Sequence, residues 1–191
     1  MTSAPAVFVD TNVLVSTMLR NIFLELAAAG AIRIHWSAEV LEELRATHQK
    51  LRPGILAADI DLRERAMNAT FPEALVLLDA RKAPVATLPD PKDVHVLAAA
   101  LAVPCDFIVT FNLKHFPTAE LTREATRIHA THPDALLLTL ITTAPEPTLS
   151  ARFAAQHTFK APPLNDDAFQ ALLAKIGLPQ TANLLRHLGQ A

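Results

Sequence analysis

Asp10 ends a run of four apolar residues, Ala6-Val7-Phe8-Val9, and is followed by Thr11 and Asn12. An apolar tetrad of this kind suits a strand buried on both faces. Its carboxyl end is where open α/β sheets bind ligands, so the Asp10 carboxylate falls in the right place for chemistry. A second role competes for it, because Asp is also a good N-cap for a following helix. Glu39, Glu42 and Glu43 lie on the next strong helical pattern, in which Val40, Leu41, Leu44 and Leu51 define an apolar face. Glu43 lies roughly 100° from the centre of that face, and Glu39 and Glu42 roughly 140° and 160° away. Glu43 therefore borders the buried side while the other two point to solvent; a charged outer face holding all three stays open as the alternative. In Asp90-Pro91-Lys92-Asp93, Asp90 suits an N-cap with Pro91 at the first helical position. Asp93 falls on the side of Val94, Leu97 and Leu101, where a carboxylate is costly unless it meets a cation or hydrogen-bond donors. Asn112, just past a third strand, brings a neutral oxygen to the same sheet edge.

Oxygen-only donors of this kind suit a hard cation such as Mg²⁺, which keeps several waters and needs few protein ligands. Such an ion can activate water for attack on a phosphodiester and offset charge in the transition state. Without a cation the carboxylates would repel one another and resist ionisation. Zinc is not expected: the eight histidines show no zinc-like spacing with Cys105, and His95 falls on the outer face of its helix. Four glycines and no Gly-x-Gly-x-x-Gly or P-loop pattern argue against a nucleotide-cradling loop. Cys105 reads as a small core residue, and Ser16 and Ser37, lacking a base partner, as structural.

Strands and helices must alternate to gather these residues. The expected order is a strand at Ala6–Val9, a helix from about Val13 to Gly30 broken near Asn21, and a strand at Ile32–His35. A helix over Ala38–Lys50, capped by Ser37, comes next, then largely helical chain over 58–80 with a break at Pro72. An Ala-rich helix after Asp93, a strand at Phe107–Thr110, an edge strand at Arg127–Ala130 and a helix from Pro133 or Asp134 complete the core. This alternation argues for an α/β fold with a mostly parallel sheet. Thr142–Pro147 and Ala161-Pro162-Pro163 read as linkers, with short helices between and beyond them, one capped by Asn165 and one starting after Gly177-Leu178-Pro179. The chain is thus divided into 1–142 and a helical appendage at 143–191. At 191 residues, 51% of them hydrophobic, it can build one sizeable core. No apolar run is long enough to cross a bilayer, the first residues do not read as a signal peptide, and a lone cysteine fits the cytoplasm. With 17 basic and 19 acidic residues, any nucleic-acid contact must be local, and Arg63/Arg65, Arg81/Lys82 and Lys50/Arg52 are the available clusters.

Val7-Phe8-Val9-Asp10-Thr11-Asn12, Ser37 with Glu43, Asp93 opening Val96-Leu97-Ala98-Ala99-Ala100, and Val109-Thr110-Phe111-Asn112 together resemble PIN-domain nucleases, above all the VapC-type toxins of toxin–antitoxin pairs. The resemblance covers about residues 6 to 142, and the appendage is similar to the helical tail of one PIN subgroup. It implies a PIN-like three-layer fold and a Mg²⁺- or Mn²⁺-dependent endoribonuclease. Asp10, Glu43 and Asp93 match the family's acidic metal-binding and catalytic positions, and Asn112 the fourth catalytic position. It further implies an RNA substrate, a cognate antitoxin and a homodimer. Two residues depart from the pattern: Asn112, where the family often has Asp, and His115, where related sequences often have a further Asp. Competing expectations are a degenerate PIN domain that binds RNA or protein without cutting, and a phosphatase with an aspartyl nucleophile. The second is disfavoured because Asn12 stands where such enzymes carry a second Asp.

Overall fold

A computed structural model of the chain describes residues 4–78, 88–118, 121, 127–159 and 163–188. Among them, five strands form one sheet in the order β3-β2-β1-β4-β5, every pairing parallel. The strands are β1 (Ala6–Val9), β2 (Arg33–Ser37), β3 (Leu75–Val76), β4 (Phe107–Val109) and β5 (His129–Thr131). The fully buried β1 lies at the centre, between β2 and β4. From β1 the chain first runs outward to β2 and β3, then crosses back to β4 and β5. This reversal creates a switch point between β1 and β4, and at its carboxyl edge a crevice opens. The register Val9↔Val109 sets Asp10 level with Thr110 at that crevice, with the Asp10 N–H donating to the Val109 carbonyl at 3.1 Å.

Helices α1 (Thr11–Leu14) and α2 (Thr17–Ala28) connect β1 to β2; α3 (Ala38–Leu51) and α4 (Ala57–Thr70) connect β2 to β3. The expected break in the first helical segment is at Ser16, whose hydroxyl accepts from the Leu19 N–H, and not at Asn21, whose amide donates to Thr158. Ser37 caps α3 by accepting from the Val40 N–H, as its sequence context predicts. The stretch expected to be helical over 58–80 ends at Thr70. Leu75 and Val76 instead pair with Trp36 and Ser37, a case of tertiary partners overriding the helical preference of a Leu-rich run; positions 79 and 80 lie outside the described residues. The second strand runs two residues further than Ile32–His35 would have it, and the edge strand is His129–Thr131 in place of Arg127–Ala130.

After a 3₁₀ turn at Pro91–Asp93, α5 (Val94–Ala102) leads into β4, and α6 (Pro133–Thr143) follows β5. Thr142–Pro147 is no linker. Thr142 and Thr143 stay in α6, with their hydroxyls bonded back to carbonyls one turn earlier, and Pro145 opens α7 (Pro145–His157) after Ala144 alone. Proline is well placed there, because its missing N–H is one that a first helical turn leaves unpaired anyway. Positions 161 and 162 of the second linker-like stretch lie outside the described residues.

Asn165 caps α8 (Asp166–Lys175), and α9 (Pro179–Leu188) begins at Pro179 itself, the last residue of the turn expected to precede it. The buried Asp134 of α6 accepts from the backbone N–H groups of Gln180 and Thr181 and from the Thr181 hydroxyl, so it caps α9 across the fold. Phe169, Leu173 and Leu178 of this C-terminal part belong to the same buried cluster as Phe8, Phe23 and Ile108.

Candidate metal centre at the sheet edge

Asp10 precedes α1 but makes no side-chain cap bond, so its carboxylate is free for other work. It is 4% exposed, and its Oδ2 accepts from both the Asn12 amide and the Thr110 hydroxyl at 2.6 Å. Thr110, fully buried, is itself fixed by accepting from Asn12 Nδ2 at 2.9 Å and from the Asn112 N–H at 3.0 Å. Asn12 Oδ1 takes the Phe111 N–H at 3.1 Å. These bonds lock the ends of β1 and β4 together and leave Asp10 Oδ1 without a side-chain donor among the described residues. Burial pushes the Asp10 carboxyl above the usual carboxylate range; the Thr110 bond pulls it back, and the charges of Asp93 and Glu43 push it up again. A cation would remove that penalty.

Glu43 reaches the crevice from α3, with its side chain 46% exposed. The Thr11 hydroxyl donates to its Oε2 at 2.6 Å, so Thr11 positions Glu43 by its side chain. Glu43 Oε1 meets His95 Nε2 at 3.0 Å. His95 is therefore not on an outer face. Val96, Leu97, Ala98, Ala99 and Ala100 are all buried, so α5 is covered nearly all round and offers little outer face. Asp93 is not turned into the core but sits half-buried at the crevice, with Oδ2 2.7 Å from His115 Nδ1. The histidine that departs from the family pattern thus holds a site carboxylate, a role that sequence reasoning missed, as it did the roles of His95 and Thr110. Asp90 caps as expected, accepting from the Lys92 N–H at 3.0 Å.

Asp10, Glu43, Asp93 and Asn112 line one cleft of about 350 Å³, with Thr11, Asn12, Val15 and Thr47 as its other walls. Glu39 and Glu42 do not line it. Among the described residues, the three ligand-type side chains whose donor atoms lie within 4.8 Å of one another are Asp90, Asp93 and His115, a grouping that shares Asp93 with the cleft. The cleft's donors are carboxylate and amide oxygens around a buried acid that resists ionisation, which fits a hard divalent cation. Cys105 is in the core, where burial pushes its thiol up to about 11, and takes no part.

Comparison with known proteins places the fold in a family. The family model described as PIN domain matches residues 6–114, which contain Asp10, Glu43, Asp93 and Asn112. A protein of Mycobacterium tuberculosis (strain ATCC 25618 / H37Rv) named "Putative ribonuclease VapC50" is 37% identical over 99 residues, 51% of this chain and 56% of the relative, so the match spans little more than half of the relative's length. No solved structure matches the chain. With the family model covering more than half of its residues and the expected sheet in place, the chain belongs to the PIN domain family.

Proposed function

We propose that the chain is a Mg²⁺- or Mn²⁺-dependent endoribonuclease, the toxin of a type II toxin–antitoxin pair, with Asp10, Glu43 and Asp93 as its metal ligands. The observation that carries this reading is the convergence of Asp10, Glu43, Asp93 and Asn112 on one cleft at the carboxyl edge of β1 and β4. The similarity to a relative named as a ribonuclease of the VapC type supports RNA as the substrate and an antitoxin as the partner. A divalent cation bound there makes water more acidic and offsets charge on a phosphodiester.

The chain's own residues do the rest. Asp10 is oriented by Thr110 and Asn12, and Thr11 and His95 hold Glu43 from two sides. His115 orients Asp93, and the exposed amide of Asn112 orients water or the phosphodiester. We assign this chemistry to residues 1–142 and read 143–191 as an appendage, whose helix α7 packs against α2. The assembly we assign is a homodimer in the cytoplasm; no helix among the described residues is long and apolar enough to cross a membrane.

The test is cleavage of single-stranded and structured RNA by purified wild type and Asp10→Asn, with Mg²⁺ and with EDTA. Metal-dependent cutting lost in Asp10→Asn is the expected result. RNA binding that survives EDTA, with no product in any lane, would mean a PIN domain that binds without cutting. A covalent phospho-enzyme on Asp10 would mean a phosphatase.

A further inference from the structure

A cleft of about 550 Å³ lies between α2 and α4 beside the end of α3, and three arginines line it. Arg52 and Arg63 are exposed, whereas Arg20 is 6% exposed and fixed by donating from Nη1 to the Leu14 carbonyl at 3.0 Å. Glu25 is the acidic residue lining the cleft. Among the described residues, the arginines in ion pairs are Arg45 and Arg152, so these three guanidiniums have no described carboxylate within ion-pair distance. Their mutual repulsion is visible in Arg20, which burial first, and then Arg63 and Arg52, bring down to about 10. Three arginines against one carboxylate, none of them in an ion pair with it, leave the cleft with a net positive charge suited to an anion.

The pocket and the metal cleft border the same short stretch of backbone. Arg20 holds the carbonyl of Leu14, while the next carbonyl, of Val15, meets buried His48 at 3.3 Å, and Val15 itself lines the metal cleft. Along α3, Arg52 lies about 13 Å beyond Glu43. A nucleic-acid backbone leaving the metal cleft along α3 therefore reaches the arginines within a few nucleotides. We infer that Arg20, Arg52 and Arg63 form a phosphate-binding subsite for the RNA strand flanking the cut. This deepens the ribonuclease reading and rests on it for the identity of the strand. The planar guanidinium fork matches phosphate oxygens two at a time, which favours a phosphate over a point-charge contact.

The experiment is binding of full-length protein to a labelled single-stranded RNA oligonucleotide in EDTA, followed by fluorescence anisotropy over a range of NaCl concentrations. Arg20 is left in place because its backbone bond ties it to the fold. Arg52→Ala/Arg63→Ala should reduce the slope of log affinity against log salt by about 1.4, two single-strand phosphate contacts. It should also lower kcat/KM for long RNA at least tenfold, while leaving cleavage of an oligonucleotide too short to reach the pocket unchanged. Lys50→Ala/Arg65→Ala removes the same charge from neighbouring positions outside the pocket and should keep the wild-type slope. An equal loss in that control, or an unchanged slope in the arginine variant, overturns the subsite. So does a loss confined to polyglutamate, the acidic-polypeptide probe, because the pocket would then face a protein. Wild type that shows the arginine-dependent slope but cuts nothing with Mg²⁺ upholds the pocket and overturns the nuclease reading alone.

Discussion

Thr110→Val tests the support of Asp10 without touching a proposed metal ligand. The Thr110 hydroxyl donates to Asp10 Oδ2 at 2.6 Å in a fully buried position and accepts from Asn12 and the Asn112 backbone, so it has no spare solvent partner. A hydrogen bond to a charged group is worth about 1.5–3 kcal/mol. At 1.4 kcal/mol per factor of ten, that is a loss of roughly 10- to 150-fold in whatever depends on ionised, oriented Asp10. The independent expectation for removing a partner that orients a metal ligand, about 10- to 100-fold, agrees. The sign also follows. Thr110 is the largest influence lowering the Asp10 pKa, which burial and two neighbouring acids already raise, so its removal pushes the carboxyl further up. The acid limb of the rate profile must then move to higher pH. The assay is RNA cleavage against pH and against Mn²⁺ concentration, with Thr110→Ser, which keeps the hydroxyl, as the control. If Thr110→Val matched wild type in both profiles, the buried hydrogen-bond support assigned to Asp10 would be wrong.

Other perturbations have equally definite outcomes. Asp10→Asn should melt higher than wild type in EDTA at neutral pH, by about 2–4 °C for each kcal/mol of repulsion and burial penalty relieved, and should lose the rise in Tm that Mn²⁺ gives wild type. Because the folded-state pKa of Asp10 is raised, its ionisation costs the folded protein stability above that pKa. The gap between the two proteins should therefore close as pH falls through it, which thermal melts against pH will measure. Gly177 has φ +96°, and a Cβ there would stand 2.8 Å from Phe111 Cε1. Gly177→Ala should cost about 1–2 kcal/mol from the left-handed backbone alone. It should also lower kcat by displacing the residue next to Asn112, seen by comparing melts with cleavage rates. His115→Asp adds a carboxylate beside Asp93 and should tighten Mn²⁺ binding while lowering Tm in EDTA; calorimetric titration and melts read both.

The frame of the fold was legible because its signals are local. Ala6–Val9, Ser37 as a cap, and the Pro91 helix start each depend on a few neighbouring residues, and all stand where the sequence puts them. Strand ends bring Asp10 and Asn112 to one edge and helix periodicity brings Glu43 there, whereas periodicity turned Asp93 toward the core and the structure sets it half-buried at the cleft. β3 was not legible, because a two-residue strand is defined by Trp36 and Ser37 across the sheet and not by its own composition. His95 and His115 were missed because their partners lie 52 and 22 residues away in sequence, and a helical wheel drawn for one core face cannot show a helix buried nearly all round. The arginine cleft escaped for a related reason. Arg20 sits alone in an apolar helix, and the adjacent pairs Lys50/Arg52 and Arg63/Arg65 each place only one member in the cleft.

The metal position separates the possibilities most sharply, because Asp93 belongs both to the cleft with Asp10 and Glu43 and to the tighter grouping with Asp90 and His115. Crystals of the full-length protein grown with Mn²⁺ and measured at the manganese absorption edge would locate the ion by its anomalous scattering. The expected result is a peak in the cleft, bound through Asp10 and Asp93 with Glu43 direct or through water, and absent from Asp10→Asn crystals. A peak bound by Asp90, Asp93 and His115 with Asp10 unliganded would contradict the assignment of Asp10 as the anchor of the site.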